Sequence, residues 1–473
     1  MNASSVASEK LDLKTRRGTL GPLCWLAWPV LMEEFLNLLV GYTDWWLTGH
    51  FLGTTEHKAA MGMMGYVLWM LPSMFSAVAI GSTALIARLV GAGDREGARR
   101  IMHQAFLLGA VLSVVATVVA YAGAERFIAV LQLDPAAAPL AVQYMKIVAM
   151  VIPAIMIEQI AIASLRGAGD TVTGLAAKIS VNAVNLVLSA GLASGWAFFP
   201  QLGWRGLAIG TAIGHLVGAL VLAIALLRGR AGMQLRFAEL RPIESIIRRL
   251  LRVGLPGGAD VLSILACHLA YFTIVNTNGK EASAAHGLGL QIESMAYCPG
   301  SAFQVAIATI AGQLLGAGDV LRARRSITTT CTVAVAYFAF AGVVFYVWGL
   351  PLTSIFAVTA DDPAAKLAAE YLAIVSFCMP SLAVVLVLSG ALRGVGDTAW
   401  PLIVTFLGLI LIRIPVACWL SWDLIRIPFT AWVIEGWGFG VHGAWYAMVV
   451  DLVARSMLFL GRFAQGGWQR VKV

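Results

Sequence analysis

Leu165-Arg166-Gly167-Ala168-Gly169-Asp170-Thr171 returns 227 residues later as Leu392-Arg393-Gly394-Val395-Gly396-Asp397-Thr398. A second motif, Gly91-Ala92-Gly93-Asp94, returns at an offset of 225 as Gly316-Ala317-Gly318-Asp319. Each copy of the second motif is soon followed by Ala-Arg-Arg. Laid over each other without a gap, residues 59–94 and 284–319 match at Gly62/Gly287, Met70/Met295 and Ser76/Ser301. Pro29/Pro256, Tyr144/Tyr371 and Pro153/Pro380 pair at the offset of 227. Anchors that agree so closely along the chain mark two copies of one unit. Both motifs lie between long apolar runs. There the glycines permit a tight turn, and the aspartate caps the helix that follows. Neither motif has the Lys-Ser/Thr pair or the strand context of a phosphate loop.

The apolar runs identify the solvent. Of 473 residues, 59% are hydrophobic and 12% are charged, against about a half and about a quarter in soluble domains. That balance excludes soluble enzymes, secreted disulfide scaffolds and disordered tails. Runs such as residues 107–122 and 217–227 do not alternate, which excludes a β-barrel. At about 20 residues per crossing plus loops, the chain holds about twelve helical spans. The expected spans are 23–48, 59–87, 101–123, 138–164, 172–194, 204–227, 250–276, 284–314, 326–349, 364–391, 399–420 and 441–461. Six spans per unit is an even number. Both units therefore share one orientation and are parallel repeats about an axis along the membrane normal. The expected organisation is an N-terminal segment 1–22, an N-lobe 23–227, an Arg-rich linker 228–249, a C-lobe 250–461 and a tail 462–473.

The net charge of +8 reads as the positive-inside bias and not as a nucleic-acid surface. Lys10, Lys14, Arg16 and Arg17 precede the first span, and Arg88, Arg95, Arg99 and Arg100 follow the second. Seven arginines from Arg228 to Arg252 join the lobes, Arg322, Arg324 and Arg325 follow the eighth span, and Arg462, Arg470 and Lys472 end the chain. The opposite side has Lys58, Arg126, Arg205, Lys280, Lys366 and Arg426. Both termini are thus expected in the cytoplasm, with the chain multi-pass in the inner (plasma) membrane. No cleavable signal peptide is read in the polar N-terminal segment. The six cysteines form no CxxC pair and read as small buried hydrophobes. Asp361-Asp362 before Pro363 reads as a helix-start cap.

Polar residues within spans carry the functional signal. A carboxylate at mid-membrane costs about 2.5–3.5 kcal/mol on insertion scales, so it faces a cavity, a partner or a proton path. The first span holds Glu33, Glu34, Asn37 and Asp44. Glu34, Asn37, Gly41 and Asp44 follow i, i+3, i+7, i+10 spacing and are read as one face. Asp44 lies about 30 Å along the helix, near enough to its outer end for plain solvation. The shared face argues instead for a site. Asn182 and Asn185 lie one turn apart in the fifth span, where amides either pair helices or bind a substrate. Glu158 lies deep in the fourth span, and Thr211 and His215 lie in the sixth. A lone intramembrane histidine is more commonly a helix contact than a proton carrier. In the second half the candidates are Asp260, Gln291 and Glu293. Asp260 falls at the repeat position of Glu33, near a helix end where water can solvate it. Glu293 and Arg413 are expected to pair.

These residues resemble the MATE (multidrug and toxic compound extrusion) transporters. The likeness covers residues 20–460. It rests on Trp28-Pro29, on Thr43-Asp44-Trp45-Trp46-Leu47-Thr48-Gly49-His50, and on both Leu-Arg-Gly-x-Gly-Asp-Thr segments. It implies an all-α polytopic membrane protein of two six-helix lobes in a V. It also implies export of amphipathic, often cationic compounds against H⁺ or Na⁺, with no enzymatic activity. The resemblance is to the DinF-like branch, because the carboxylates of the NorM-like branch are missing near Ser263 and near Ser381 or Leu382. It assigns cation coupling to Asp44, Asn185 and Thr211. Ser189 stands where some DinF-like proteins carry an aspartate, with Glu34 or Glu158 as substitutes. The expected partners are small amphipathic organic substrates and membrane lipids, with no nucleic acid, in a monomer. No cofactor and no metal are expected beyond the coupling ion, a Na⁺ at Asp44 if sodium drives transport. The alternatives are a flippase for lipid-linked or amphipathic metabolites, which basic residues lining the cavity would favour, and a polytopic membrane enzyme, which lacks a catalytic cluster in this sequence.

Overall fold

A computed structural model describes residues 18, 20–131, 133–196, 198–355, 362–426 and 433–471. Lys10, Lys14, Arg16, Arg17, Asp361 and Lys472 lie outside the described residues. The first half contains α1 (Leu20–Leu47), α2 (Thr55–Ser73), α3 (Ser76–Ala92), α4 (Arg95–Val130), α5 (Ala138–Ala149), α6 (Ile152–Ala168), α7 (Val172–Ser194) and α8 (Trp204–Leu227). The second contains α9 (Glu244–Asn276), α10 (Lys280–Gly316), α11 (Val320–Ser354), α12 (Pro363–Ser376), α13 (Met379–Gly394), α14 (Ala399–Thr405), α15 (Ile414–Ser421) and α16 (Gly440–Gln465). The repeat governs these boundaries. Helix starts at Thr55, Arg95 and Ala138 recur at Lys280, Val320 and Pro363, at the offset of 225 read from the turn motifs.

Among the described residues, nine helices are long and apolar enough to cross a membrane. Two further crossings are bent pairs: α5 with α6 at 55°, and α12 with α13 at 60°. The bends fall just before Pro153 and Pro380, which sit in the first turns of α6 and α13. Proline lacks the N–H that would continue the helix behind it, so the duplicated prolines duplicate the bend. The twelfth span expected from the sequence, 441–461, falls within α16, which is not among these crossings. An antiparallel hairpin, β1 (Leu424–Arg426) with β2 (Val433–Glu435), joins α15 to α16. Among the described residues it is the one sheet, against the all-helical expectation, and it pairs backbone groups beyond the helix ends.

The turn motifs act as caps. Asp94 Oδ1 accepts from Gly97 N at 2.8 Å, and Asp319 Oδ1 accepts from Arg322 N at 3.0 Å. Asp170 caps Thr173 N at 3.0 Å and also accepts from Arg230 Nε at 2.7 Å. Its repeat mate Asp397 accepts from Arg462 Nη2 at 2.8 Å.

Each half builds its own apolar core. The first turns of α1 and α9 cross over. Leu23, Leu26, Ala27 and Val30 pack into the core of the second half. Leu250 and Val253 pack into that of the first. Hydrogen bonds tie the halves together in the same region, at the end carrying the arginine-rich turns. Thr309 Oγ1 donates to Arg166 O at 3.1 Å, Gln313 Nε2 to Gly167 O at 3.0 Å, and Arg88 Nη1 to Val395 O at 3.1 Å.

Two buried ion pairs obey the same symmetry. Glu33 meets Arg166 at 2.8 Å, and Asp260 meets Arg393 at 2.5 Å. Both members shift by 227 residues. Asp260 is therefore not a solvated helix-end carboxylate; it is fully buried and bound by an arginine from a turn motif. The expected Glu293–Arg413 pair is also replaced. Arg413 binds Asp451 at 2.8 Å, Arg455 binds the same carboxylate at 2.7 Å, and Glu293 accepts from Tyr371 OH at 2.5 Å. Asp451 wins because it faces Arg413 from α16 and lies one turn from Arg455 on its own helix. Asp451→Ala would leave two buried guanidiniums without a carboxylate. We expect a loss of about 3–5 kcal/mol, the scale of breaking a buried pair, read as a lower melting temperature in detergent. An unchanged melting temperature would refute that role.

Candidate cation and substrate site

The first-half core closes around one carboxylate with only neutral partners. Asp44 lies in the last turn of α1 and is fully buried. Its Oδ2 accepts from Tyr144 OH on α5 at 2.8 Å and from Thr211 Oγ1 on α8 at 2.8 Å. Its Oδ1 lies 3.3 Å from Asn185 Nδ2 on α7. Four helices thus converge on one side chain. Asn185 Nδ2 also donates to Thr211 Oγ1 at 3.0 Å and to Ser189 Oγ at 3.1 Å. Ser189 passes its own proton to Leu207 O at 3.3 Å. Tyr144 is fixed by ring contact with Trp204 at 5.5 Å, and Trp204 Nε1 is anchored on Leu140 O at 2.8 Å.

Asn185 Oδ1 is buried with no hydrogen-bond partner. A buried carbonyl oxygen left alone costs about 1–3 kcal/mol, so it marks a place for a donor or a cation. A carboxylate, an amide oxygen and two hydroxyls form an oxygen-only set, which suits a hard cation or a proton. Among the described residues, no cluster of three or more His, Cys, Asp or Glu side chains offers an alternative metal site.

Of the residues read from the sequence, the structure brings Asp44, Asn185 and Thr211 together, and Ser189 joins them. Glu34 and Asn37 stand apart: Glu34 is half-buried and Asn37 exposed. The supposed common face was too wide. Ten residues advance about 1000°, so Asp44 sits about 80° around the helix from Glu34. Asn182 is spent on its own helix, donating to Lys178 O at 2.9 Å. Glu158 is held by Lys178 at 2.9 Å and His215 at 3.1 Å. Gln291 and Glu293 lie in the second half on α10, where Glu293 meets Tyr371. Sequence reasoning missed Tyr144 as a site residue. Its pairing with Tyr371 in the repeat was the available signal, since each tyrosine donates to a buried carboxylate.

A recess of about 740 Å³ is lined by Tyr121, Glu125, Gln143, Lys146 and Arg205 among others. It contains none of the site residues. Tyr144→Phe removes one of the donors to Asp44. We expect a loss of about 1.5–3 kcal/mol, the scale of a hydrogen bond to a charged group, read as a lower melting temperature in detergent. An unchanged melting temperature would show that the phenol does not hold the carboxylate.

Comparison with known proteins places this architecture. The MatE family model matches residues 29–190 and 259–419, one stretch in each half. A probable multidrug resistance protein NorM of Thermotoga maritima is 28% identical over 445 residues, covering 94% of this chain and 92% of that protein. A probable multidrug resistance protein YoeA of Bacillus subtilis is 23% identical over 400 residues, covering 83% and 85%. A MOP superfamily transporter from Pyrococcus furiosus Vc1 superposes with a TM-score of 0.84 at 19% identity, covering 96% of this chain and 98% of that one. A multidrug resistance MATE family transporter solved in an outward-facing conformation gives 0.83 at 18% identity, with the same coverage. These two likenesses bear on the fold.

Proposed function

The chain belongs to the MatE family of membrane transporters, which are not enzymes, and from that premise we propose that it is a multidrug exporter. It exchanges amphipathic, cationic organic compounds for H⁺ or Na⁺ by alternating access of its two lobes. The observation that carries this reading is Asp44. The Glu33 and Glu158 carboxylates nearby in the first half each have a cationic partner, while Asp44 has three neutral donors. Its compensating charge is therefore free to exchange: first the coupling ion, then the cationic substrate. One carboxylate that binds either one but not both is enough for antiport.

The positive-inside rule puts the arginine-rich turns, and both termini, in the cytoplasm of an inner-membrane protein. The lobes meet at that end, and Asp44 lies buried toward the opposite end of α1. The four helices that meet at Asp44 all come from one chain, which supports a monomeric transporter. The lipid-flippase alternative needs basic groups free to meet a phosphate. Instead, Lys146 is bound by Glu125, Lys178 by Glu158, and Arg413 and Arg455 by Asp451.

The test is ethidium transport in proteoliposomes under an imposed proton gradient, an imposed sodium gradient, or neither. Transport under one gradient and not the other names the ion. Equal transport in all three conditions refutes coupled antiport.

A further inference from the structure

The first half buries a second polar group that the Asp44 site does not use. Glu158 of α6 accepts from Lys178 Nζ of α7 at 2.9 Å and lies 3.1 Å from His215 Nδ1 of α8. Glu158 and Lys178 are buried, and His215 nearly so. Gly218, three residues beyond His215, makes room: a Cβ there would lie 2.7 Å from Glu158 Oε1. Such a triad is a poor source of stability, since well-packed apolar side chains in its place are commonly neutral or better. Its position offers another account.

His215 lies one turn along α8 from Thr211, whose hydroxyl donates to Asp44. His215 also acts electrostatically on Asp44. In the other direction, Lys178 interacts with Glu33 and Arg166, and Glu34 with both Lys178 and Arg166. The titratable groups of α1, α6, α7 and α8 thus form a line. It runs from Asp44 through His215, Glu158 and Lys178 to the Glu33–Arg166 pair at the arginine-rich end. Asn182 faces the same interior but is bound to the Lys178 carbonyl.

We propose that His215 and Glu158 are a proton relay inside the N-lobe, connecting Asp44 to the arginine-rich end. The inference rests on the reading of Asp44 as the coupling carboxylate, with H⁺ as the ion. A proton leaving the Asp44 carboxyl passes by way of the Thr211 hydroxyl, which both accepts and donates, to the imidazole. The imidazolium gives it to the Glu158 carboxylate, and Glu158 loses it to solvent water at the arginine-rich end. Lys178, 2.9 Å away, holds Glu158 in position. One proton enters and one leaves, and each group returns to its starting state. A route through the lobe interior does not cross the contact between the lobes.

The experiment compares wild type, H215Q, H215A, E158Q and D44N in proteoliposomes, reading proton flux with a pH dye and ethidium flux by fluorescence. H215Q is expected to slow proton-coupled exchange about a hundredfold, the scale of losing a proton-transfer group, with ethidium binding within about twofold of wild type. Millimolar imidazole is expected to restore exchange to H215A, a rescue that a purely structural histidine would not show. Melting temperatures identify which variants fold, and H215Q retains a polar side chain if H215A does not fold. Wild-type exchange and an unchanged pH profile in folded H215Q overturn the relay. If D44N is dead while H215Q and E158Q are wild type, the relay alone is refuted. If D44N also exchanges at the wild-type rate, the coupling assignment falls and the relay falls with it.

Discussion

Asp44→Asn is expected to cut ion-driven ethidium export to below about one hundredth of wild type, the scale of losing a proton-transfer group, without lowering the melting temperature. Asparagine is isosteric with aspartate. Its carbonyl oxygen still accepts from Tyr144 OH and Thr211 Oγ1, which lie 2.8 Å from Asp44 Oδ2. What is lost is the charge and the weak acceptor 3.3 Å from Asn185 Nδ2; the new amide can instead donate to the unpartnered Asn185 Oδ1 once that side chain turns over. In a structural site the loss of a charge breaks a pair, but Asp44 is bound by neutral donors and has no cation to orphan. Removing an uncompensated carboxylate from a span relieves about 2.5–3.5 kcal/mol of insertion cost. Stability should therefore hold or rise as transport disappears. That opposition separates Asp44 from Asp451, whose loss strands two guanidiniums. Export near the wild-type rate in D44N proteoliposomes would remove Asp44 from the mechanism.

What could be read in advance follows from which forces act along the chain and which act across it. Helix positions and lobe symmetry were legible because insertion depends on local apolar length and turns depend on local glycine and aspartate. The bends were half-legible: Pro153 and Pro380 were visible, but the 55° and 60° angles depend on packing. Asp44, Asn185 and Thr211 were named one by one, yet their convergence is a tertiary fact. The Glu33–Arg166 and Asp260–Arg393 pairs were within reach, because both members repeat at the same offset. Reading the Glu33/Asp260 and Arg166/Arg393 correspondences separately hid that each half pairs its own carboxylate with its own arginine. The Arg413–Asp451–Arg455 group was not within reach. At the offset of 227 Arg413 and Asp451 fall on Leu186 and Ile224, so no symmetry points to their pairing, and the nearest carboxylate by sequence pattern, Glu293, goes to Tyr371.

Gly91→Ala and Gly316→Ala are each expected to open the arginine-rich end. The two glycines are repeat mates, and each faces the backbone of the opposite lobe. A Cβ on Gly91 would lie 1.9 Å from Gln313 O, and one on Gly316 would lie 2.0 Å from Arg88 O. Carbonyl oxygens of packed helices cannot step aside as the tip of a flexible side chain can, so α3 and α10 must separate. Overpacking of this kind costs about 1–3 kcal/mol. Here the cost falls only on the sealed form, because the contact exists only while the lobes meet. About 1.4 kcal/mol changes a two-state ratio tenfold, so one methyl group is enough to shift the population toward a form open at that end. Gly287→Ala is the control on the same helix as Gly316: a Cβ there meets nothing within 4 Å. Spin labels on the arginine-rich turns of α3 and α10 read the outcome as a distance. G91A and G316A should lengthen it and G287A should not. Lengthening in neither glycine variant would mean that the seal depends on the Thr309 and Gln313 hydrogen bonds alone. Lengthening with export preserved would mean that the open form lies on the transport cycle and that its return to the sealed form remains fast. The double variant carries both penalties at one interface. Its export should therefore fall further than in either single variant, because the sealed form that accepts the coupling ion at Asp44 becomes the rare one.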